Sequence, residues 1–189
     1  LKNCPASFVD YIGLKWSVNG ARQERNLENE RMHSTIYYKF TDEETDYLSE
    51  TEDDHITIQN RIKWVAFKQS FFTSILIANE TFDKPTYLET RSEPENIASV
   101  KQYSAELTIP FDHKPSETYT MSFYFGPNHF QTLKSYDLGM ENIIPLGWGI
   151  FGWVNQYFII PVFNFLNRFI SNYGLIILVL TLIIKVVLL

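Results

Sequence analysis

The sequence predicts a mainly β protein: an antiparallel β-sandwich followed by an amphipathic interfacial helix and the start of a transmembrane helix. Three observations predict it. The first 126 residues repeat segments of period-two alternation rich in Tyr, Phe, Thr, Val and Ile, the pattern of half-buried antiparallel strands. Charge is divided unevenly: of the 16 Lys and Arg and the 22 Asp and Glu in 189 residues, residues 1–140 hold 14 and 21, a net of −7, whereas 141–189 hold only Glu141, Arg168 and Lys185. Residues 174–189 then read GLIILVLTLIIKVVLL, an apolar rod with one hydroxyl, Thr181, and one cation, Lys185. The expected division is a solvated sandwich over 1–140, a linker with the interfacial helix over 141–172, and the start of a transmembrane helix over 173–189.

Strands are expected, in order, at 8–18, 32–40, 56–69, 71–78, 97–109 and 118–125. The first is expected to close at Asn19-Gly20, a turn dipeptide that tolerates positive φ. The connections are polar: 41–54 is acidic, and Asp83-Lys84-Pro85, Ser92-Glu93-Pro94 and His113-Lys114-Pro115 read as Pro-marked turns. No helical pattern of about 10–15 residues separates the strands, which argues against a parallel α/β sheet and for a sandwich.

Composition removes several functions. An acidic domain repels nucleic acid, and no basic patch with interleaved aromatics is present, so no nucleic-acid partner is expected. His33, His55, His113 and His129 stand singly, with no HExxH or His-x-His spacing, and read as ordinary surface or strand histidines. Asp42, Glu43, Glu44 and Asp46, with Glu50, Glu52, Asp53 and Asp54, lack the Gly and bidentate Glu spacing of a calcium loop and read as a solvated acidic loop. GxSxG, P-loop and GxGxxG motifs are absent, so no catalytic residue, metal or cofactor is expected and the chain is not read as an enzyme. Cys4 forms neither a disulfide framework nor a CxxC pair and reads as an ordinary thiol.

Over 148–171 the composition turns to Trp, Phe, Ile, Val and Asn. At about 100° per residue, Gln156, Asn164, Asn167, Arg168 and Ser171 share one arc and Phe158, Val162, Phe165, Leu166 and Phe169 lie across from it, Asn155 being the exception. This predicts a helix lying in the membrane interface, with Trp148, Trp153, Phe158, Phe165 and Arg168 as its interface residues and Tyr157 in the headgroup belt. The alternative is an amphipathic helix packed on the sandwich. Pro161 is expected to kink or break the helix, and Asn172-Tyr173-Gly174 to form a hinge with a left-handed turn.

The apolar rod beyond the hinge falls about four residues short of the roughly 20 needed to span, which reads as a piece of a longer protein. With a span beginning at Gly174, Lys185 lies about 16 Å deep, half-way through a core about 30 Å thick, and Thr181 sits one turn earlier on the same face. Lys at that depth costs roughly 2.5–3.5 kcal/mol. Either it faces a polar cavity between helices, or the helix ends soon after residue 189 and Lys185 snorkels to the headgroups along its apolar stem.

Several motifs carry a resemblance. Trp64-Val-Ala-Phe-Lys-Gln-Ser-Phe-Phe72, Phe123-Tyr-Phe-Gly-Pro127 with a short helical stretch after it, Gly147-Trp148-Gly149, Pro161, Asn172-Tyr173-Gly174 and the helix with Thr181 and Lys185 follow in this order. Over most of 56–189 the chain resembles bacterial members of the YidC/Oxa/Alb family of membrane insertases. The resemblance implies a periplasmic β-supersandwich of which the chain holds the later part, an interfacial helix, and the second transmembrane helix of a multi-pass inner-membrane protein, with residues 1–172 on the periplasmic side. It puts the family's groove cation on Lys185 and the nearby hydroxyl on Thr181. Many members carry Arg there, and Lys keeps the charge without the planar fork of donors. The partners implied are nascent integral membrane proteins, the lipid bilayer and Sec translocon components. A membrane-tethered carbohydrate-binding, mutarotase-like sandwich is the rival function, and a structural domain docking a translocon partner is a third.

Overall fold

The computed structural model describes residues 10–188 except Pro94, His113 and Pro115. Cys4, the expected strand start at Phe8, Pro94, His113, Pro115 and Leu189 lie outside the described residues. The chain divides into two compact units, residues 1–143 and 144–189.

In the first unit the described elements are β1 (Tyr11–Ala21), α1 (Leu27–Arg31), β2 (Thr35–Phe40), β3 (Thr45–Tyr47), β4 (Asp54–Ile58), β5 (Ile62–Lys68), β6 (Phe72–Arg91), β7 (Ser99–Pro110), β8 (Met121–Pro127), α2 (Phe130–Lys134) and a single 3-10 turn (Met140–Ile143). Every strand pairing is antiparallel. The 20-residue β6 belongs to two sheets. Its first half pairs with β5 and β8, extending a layer ordered β3-β2-β5-β6-β8, and its second half pairs with β7 and β4 in a layer ordered β1-β7-β6-β4. Between the layers lie Ile36, Val65, Phe67 and Leu76 from one and Leu88, Ala105, Leu107 and Ile109 from the other, all buried. This is the expected sandwich, joined through one shared strand.

The shared strand corrects an expectation. Asp83-Lys84-Pro85 does not end the strand; β6 continues through it. The register slips there, from Asp83 opposite Thr108 to Tyr87 opposite Glu106, so the extra residues bulge and bend the strand from one layer into the other. Pro85 has no N–H to offer a ladder and sits where the ladder is interrupted. Its carbonyl is taken by the Thr108 hydroxyl at 2.6 Å.

Two further boundaries differ. Residues 56–69 make two strands rather than one: after β4 the chain breaks at 59–61 and re-enters as β5 in the opposite layer, with Ile58 and Ile62 buried on either side of the break. Asn19-Gly20 lies inside β1 where the register against β7 slips, from Asn19 opposite Gln102 to Ala21 opposite Ser99, and is not a turn. Gly20 is required by close approach: a Cβ there would lie 2.7 Å from Gln69 Nε2, 2.8 Å from the Tyr103 ring and 3.3 Å from the Lys101 carbonyl.

The acidic stretch is also less solvated than its composition suggests. Lys68 and Lys101 are 3% and 2% exposed. Lys68 donates to the Glu50 carboxylate at 3.4 Å and the His33 carbonyl at 3.0 Å, and Lys101 to the Glu50 carbonyl at 2.9 Å. Burial lowers both ammonium pKa values, and Glu50 beside Lys68 and Asp53 beside Lys101 oppose that shift. Asp53 and Asp54 accept from the Ser92 and Ser49 amides at 2.7 and 2.8 Å, so part of this loop is counter-charge and cap rather than free acid. Asp42, Glu43, Glu44 and Glu52 are exposed, as expected.

Residues 128–143 cover the outer face of the β5–β6 layer. Asn128 donates to the carbonyls of Gln69 and Ser70 at 2.7 and 3.2 Å, and His129 caps α2. Leu133, Met140 and Ile143 are fully buried, and the indole N–H of fully buried Trp64 donates to the Leu138 carbonyl at 2.9 Å.

Buried phenols set an alkaline limit on this unit. Burial, reinforced by Glu50 beside Tyr37 and Asp46 beside Tyr38, raises both pKa values well above the ordinary tyrosine range; burial raises Tyr103 likewise and pushes Tyr119 up to about 12. Unfolded tyrosines release protons near pH 10, so above it the folded state holds protons that the unfolded chain has lost. This stability is fully present below about pH 10 and is lost as pH rises toward the folded-state values. In an alkaline titration, the last tyrosinate absorbance is expected to appear together with loss of the β circular-dichroism signal. Complete ionisation with that signal intact would contradict this.

Candidate membrane-interface and groove site

The second unit opens with a turn built on two glycines. Gly147 has φ 90° and Gly149 φ 58°, a region where a side chain is strained, and Gly149 ends the turn as the cap of α3 (Ile150–Val154). A Cβ on Gly152 would lie 2.4 Å from the Gly147 carbonyl, so the first helical turn sits directly on the loop that precedes it. The Asn155 side chain donates to the Leu146 carbonyl at 2.8 Å, which accounts for a polar residue on the predicted apolar arc.

The helix continues through a π-turn (Asn155–Ile159) into α4 (Ile160–Asn167). Pro161 neither breaks nor ends it. The proline stands in the first turn of α4, where an N–H is not required, and the turn before it widens so that the Ile160 N–H reaches back to the Asn155 carbonyl. A uniform 100° projection therefore does not hold across 155–159. Of the expected interface residues, Trp148, Trp153 and Phe165 are exposed, at 86%, 62% and 58%; Arg168 is exposed and Phe158 is half-buried.

Asn172-Tyr173-Gly174 makes no left-handed turn, for none of the three has positive φ. Instead Asn172 caps the last helix, α5 (Tyr173–Leu188): its side-chain oxygen accepts from the Leu175 amide at 3.2 Å, and its carbonyl accepts from the Ile176 amide at 3.1 Å. Asn ahead of an apolar run is a readable N-cap signal, and it locates this residue from sequence. Phe163 of α4 stacks on Tyr173 with centroids 6.0 Å apart, and Ile176 and Leu180 are the buried side of α5.

Thr181 and Lys185 are on the other side. Lys185 is nine residues from Ile176, about half a turn away, and both it and Thr181 are exposed on one stripe with Ile177. The Thr181 hydroxyl donates to the Ile177 carbonyl at 2.8 Å, which satisfies it along the helix and leaves its oxygen able to accept. Among the described residues nothing pairs with Lys185. No described helix is long and apolar enough to cross a membrane, α5 having 16 residues. Among the described residues no group of three or more His, Cys, Asp or Glu is placed to hold a metal ion.

Comparison with known proteins supplies the context. The profile of one family, the YidC periplasmic domain, matches residues 10–160. The membrane protein insertase YidC of Parabacteroides distasonis is 42% identical, the match covering 97% of this chain and 30% of that protein. Those of Bacteroides fragilis and Phocaeicola vulgatus are each 34% identical, covering 96% and 94% of this chain and 30% of theirs. The chain thus spans about 30% of the length of the curated relatives it matches.

Proposed function

Since this chain belongs to the YidC periplasmic-domain family, we propose that it forms part of an inner-membrane insertase that helps integral membrane proteins enter and fold in the bilayer. The sandwich would stand in the periplasm with residues 144–172 on the membrane surface, and α5 would be one wall of a hydrophilic groove. The observation that carries the reading is the division of α5: Ile176 and Leu180 are buried, while Thr181 and Lys185 share the outward stripe. Carbohydrate binding has no support among these insertase relatives.

The chemistry needs no covalent step. A nascent segment brings a polar tail that is costly to desolvate. Lys185 offsets part of that cost when the tail is acidic, and Thr181 adds a hydrogen bond. The apolar helix of the arriving protein then leaves for lipid, gaining roughly 25 cal/mol per Å² of apolar surface removed from water. A lone ammonium holds the tail weakly enough to release it. The groove would serve alone or beside a Sec-type translocon.

Photo-crosslinkers placed singly at positions 176, 180, 181 and 185 of the full-length protein test this. An arriving single-span substrate is expected to crosslink from 181 and 185 and not from 176 or 180. Equal yields from both faces would sink the groove.

A further inference from the structure

Along the interfacial helix exposed positions recur every four residues at Trp153, Tyr157, Pro161 and Phe165, and the residue after each, Val154, Phe158, Val162 and Leu166, is half-buried; Asn167 and Arg168 are exposed as well, and exposed Phe169 follows in the turn beyond α4. An α-helix cannot keep such a stripe straight. Four residues at about 100° each overshoot a full turn by about 40°, so three repeats would carry Phe165 about 120° round from Trp153. The π-turn (Asn155–Ile159) lies between the first repeats. Closing it takes about one more residue than an α-turn, which sets the downstream face back by about 100° and returns Phe165 to the side of Trp153 and Tyr157. Ring contacts run along the same line on either side of Pro161: Trp153 to Tyr157 at 5.7 Å and Phe165 to Phe169 at 5.2 Å between centroids.

We propose that the π-turn sets the rotational phase of this helix so that Trp153, Tyr157, Pro161, Phe165 and Phe169 form one continuous stripe seated on the headgroup boundary of a lipid bilayer. The proposal rests on the membrane-interface reading above. A lipid surface is the occupant because a five-residue turn, 168–172, leads from this helix through the Asn172 cap into an apolar helix whose only cation is Lys185. The stripe itself pairs Trp and Tyr, which suit headgroups, with Phe and Pro, and carries no charge. The clamp from Asn155 to the Leu146 carbonyl holds the π-turn against the turn before it, so the phase is fixed from the start of the helix.

The test uses the full-length protein in phosphatidylcholine vesicles, with single nitroxide labels at 153, 157, 165 and 169 and at 155, 159, 163 and 167, read by oxygen against nickel-chelate accessibility. The first four are expected to report lipid contact and the second four not. One Ala inserted after Phe163 should remove the lipid signal at the former 165 and 169 positions and leave it at 153 and 157. Lipid contact at 153 with 169 on the water side would overturn the phase role while keeping the interface reading. Labels that are shielded without vesicles, through contact between copies, would overturn the lipid surface as occupant. No lipid contact at any position would remove the interface reading itself.

Discussion

Replacing Trp64 by Ala is expected to destabilise the sandwich by about 3–5 kcal/mol, the cost of deleting a large, fully buried aromatic side chain. Trp64 is fully buried on the outer face of its layer, apart from the main cluster between the sheets. Its ring lies under 128–143, and its N–H holds the Leu138 carbonyl at 2.9 Å in a segment where Asp137 and Gly139 both take positive φ. The Ala variant therefore opens a cavity and frees that segment together. Trp64→Phe separates the two effects: it keeps most of the ring and leaves the carbonyl unpaired, for about 1–3 kcal/mol. Domains of this kind are stable by about 5–15 kcal/mol, so the Ala variant should shift the urea midpoint strongly and the Phe variant partly. An Ala variant with an unchanged midpoint would mean that the segment does not depend on Trp64.

How much of this was readable in the sequence follows from what period and composition encode. Period-two alternation located most strands, because a half-buried strand must alternate. The pairing of β6 with four partners was not readable, since it rests on a bulge at Asp83–Tyr87 whose Pro85 carries the same signal as an ordinary turn. The five-residue α1, capped by Asn26, is too short to show a period, and its buried Glu30 is held by the Gln23 and Glu24 amides, contacts made seven and six residues back. Acidic composition could not show that Glu50 answers two buried lysines on strands distant in sequence. At the C-terminal end, the apolar run and Lys185 were plain, while the π-turn was hidden because an arc drawn at a fixed angle assumes the regular winding that the turn interrupts.

Lys185 should show the other large effect. In the full-length protein, removing its charge by Lys185→Ala should delete the proposed charge-assisted contact, worth about 1.5–3 kcal/mol, which corresponds to a fall in insertion of roughly tenfold or more for a substrate with an acidic tail. Lys185→Glu replaces attraction by repulsion and should reduce insertion further, toward about a hundredfold. Lys185→Arg restores the charge and should keep insertion near the unaltered rate, because the contact proposed needs a cation and not a bidentate fork. The loss should shrink for substrates whose tails are neutral, since only the acidic tail uses the charge. Snorkelling predicts a different pattern: Ala would then ease rather than hinder the helix in the bilayer, and tail charge would not matter.

The most direct measurement is the insertion rate of one single-span substrate, made with an acidic and with a neutral tail, by full-length protein carrying Lys, Arg, Ala or Glu at position 185. A groove wall predicts Lys and Arg together, then Ala, then Glu, with the spread confined mainly to the acidic tail. Equal rates for all four with both tails would return Lys185 to the headgroups and leave α5 an anchor.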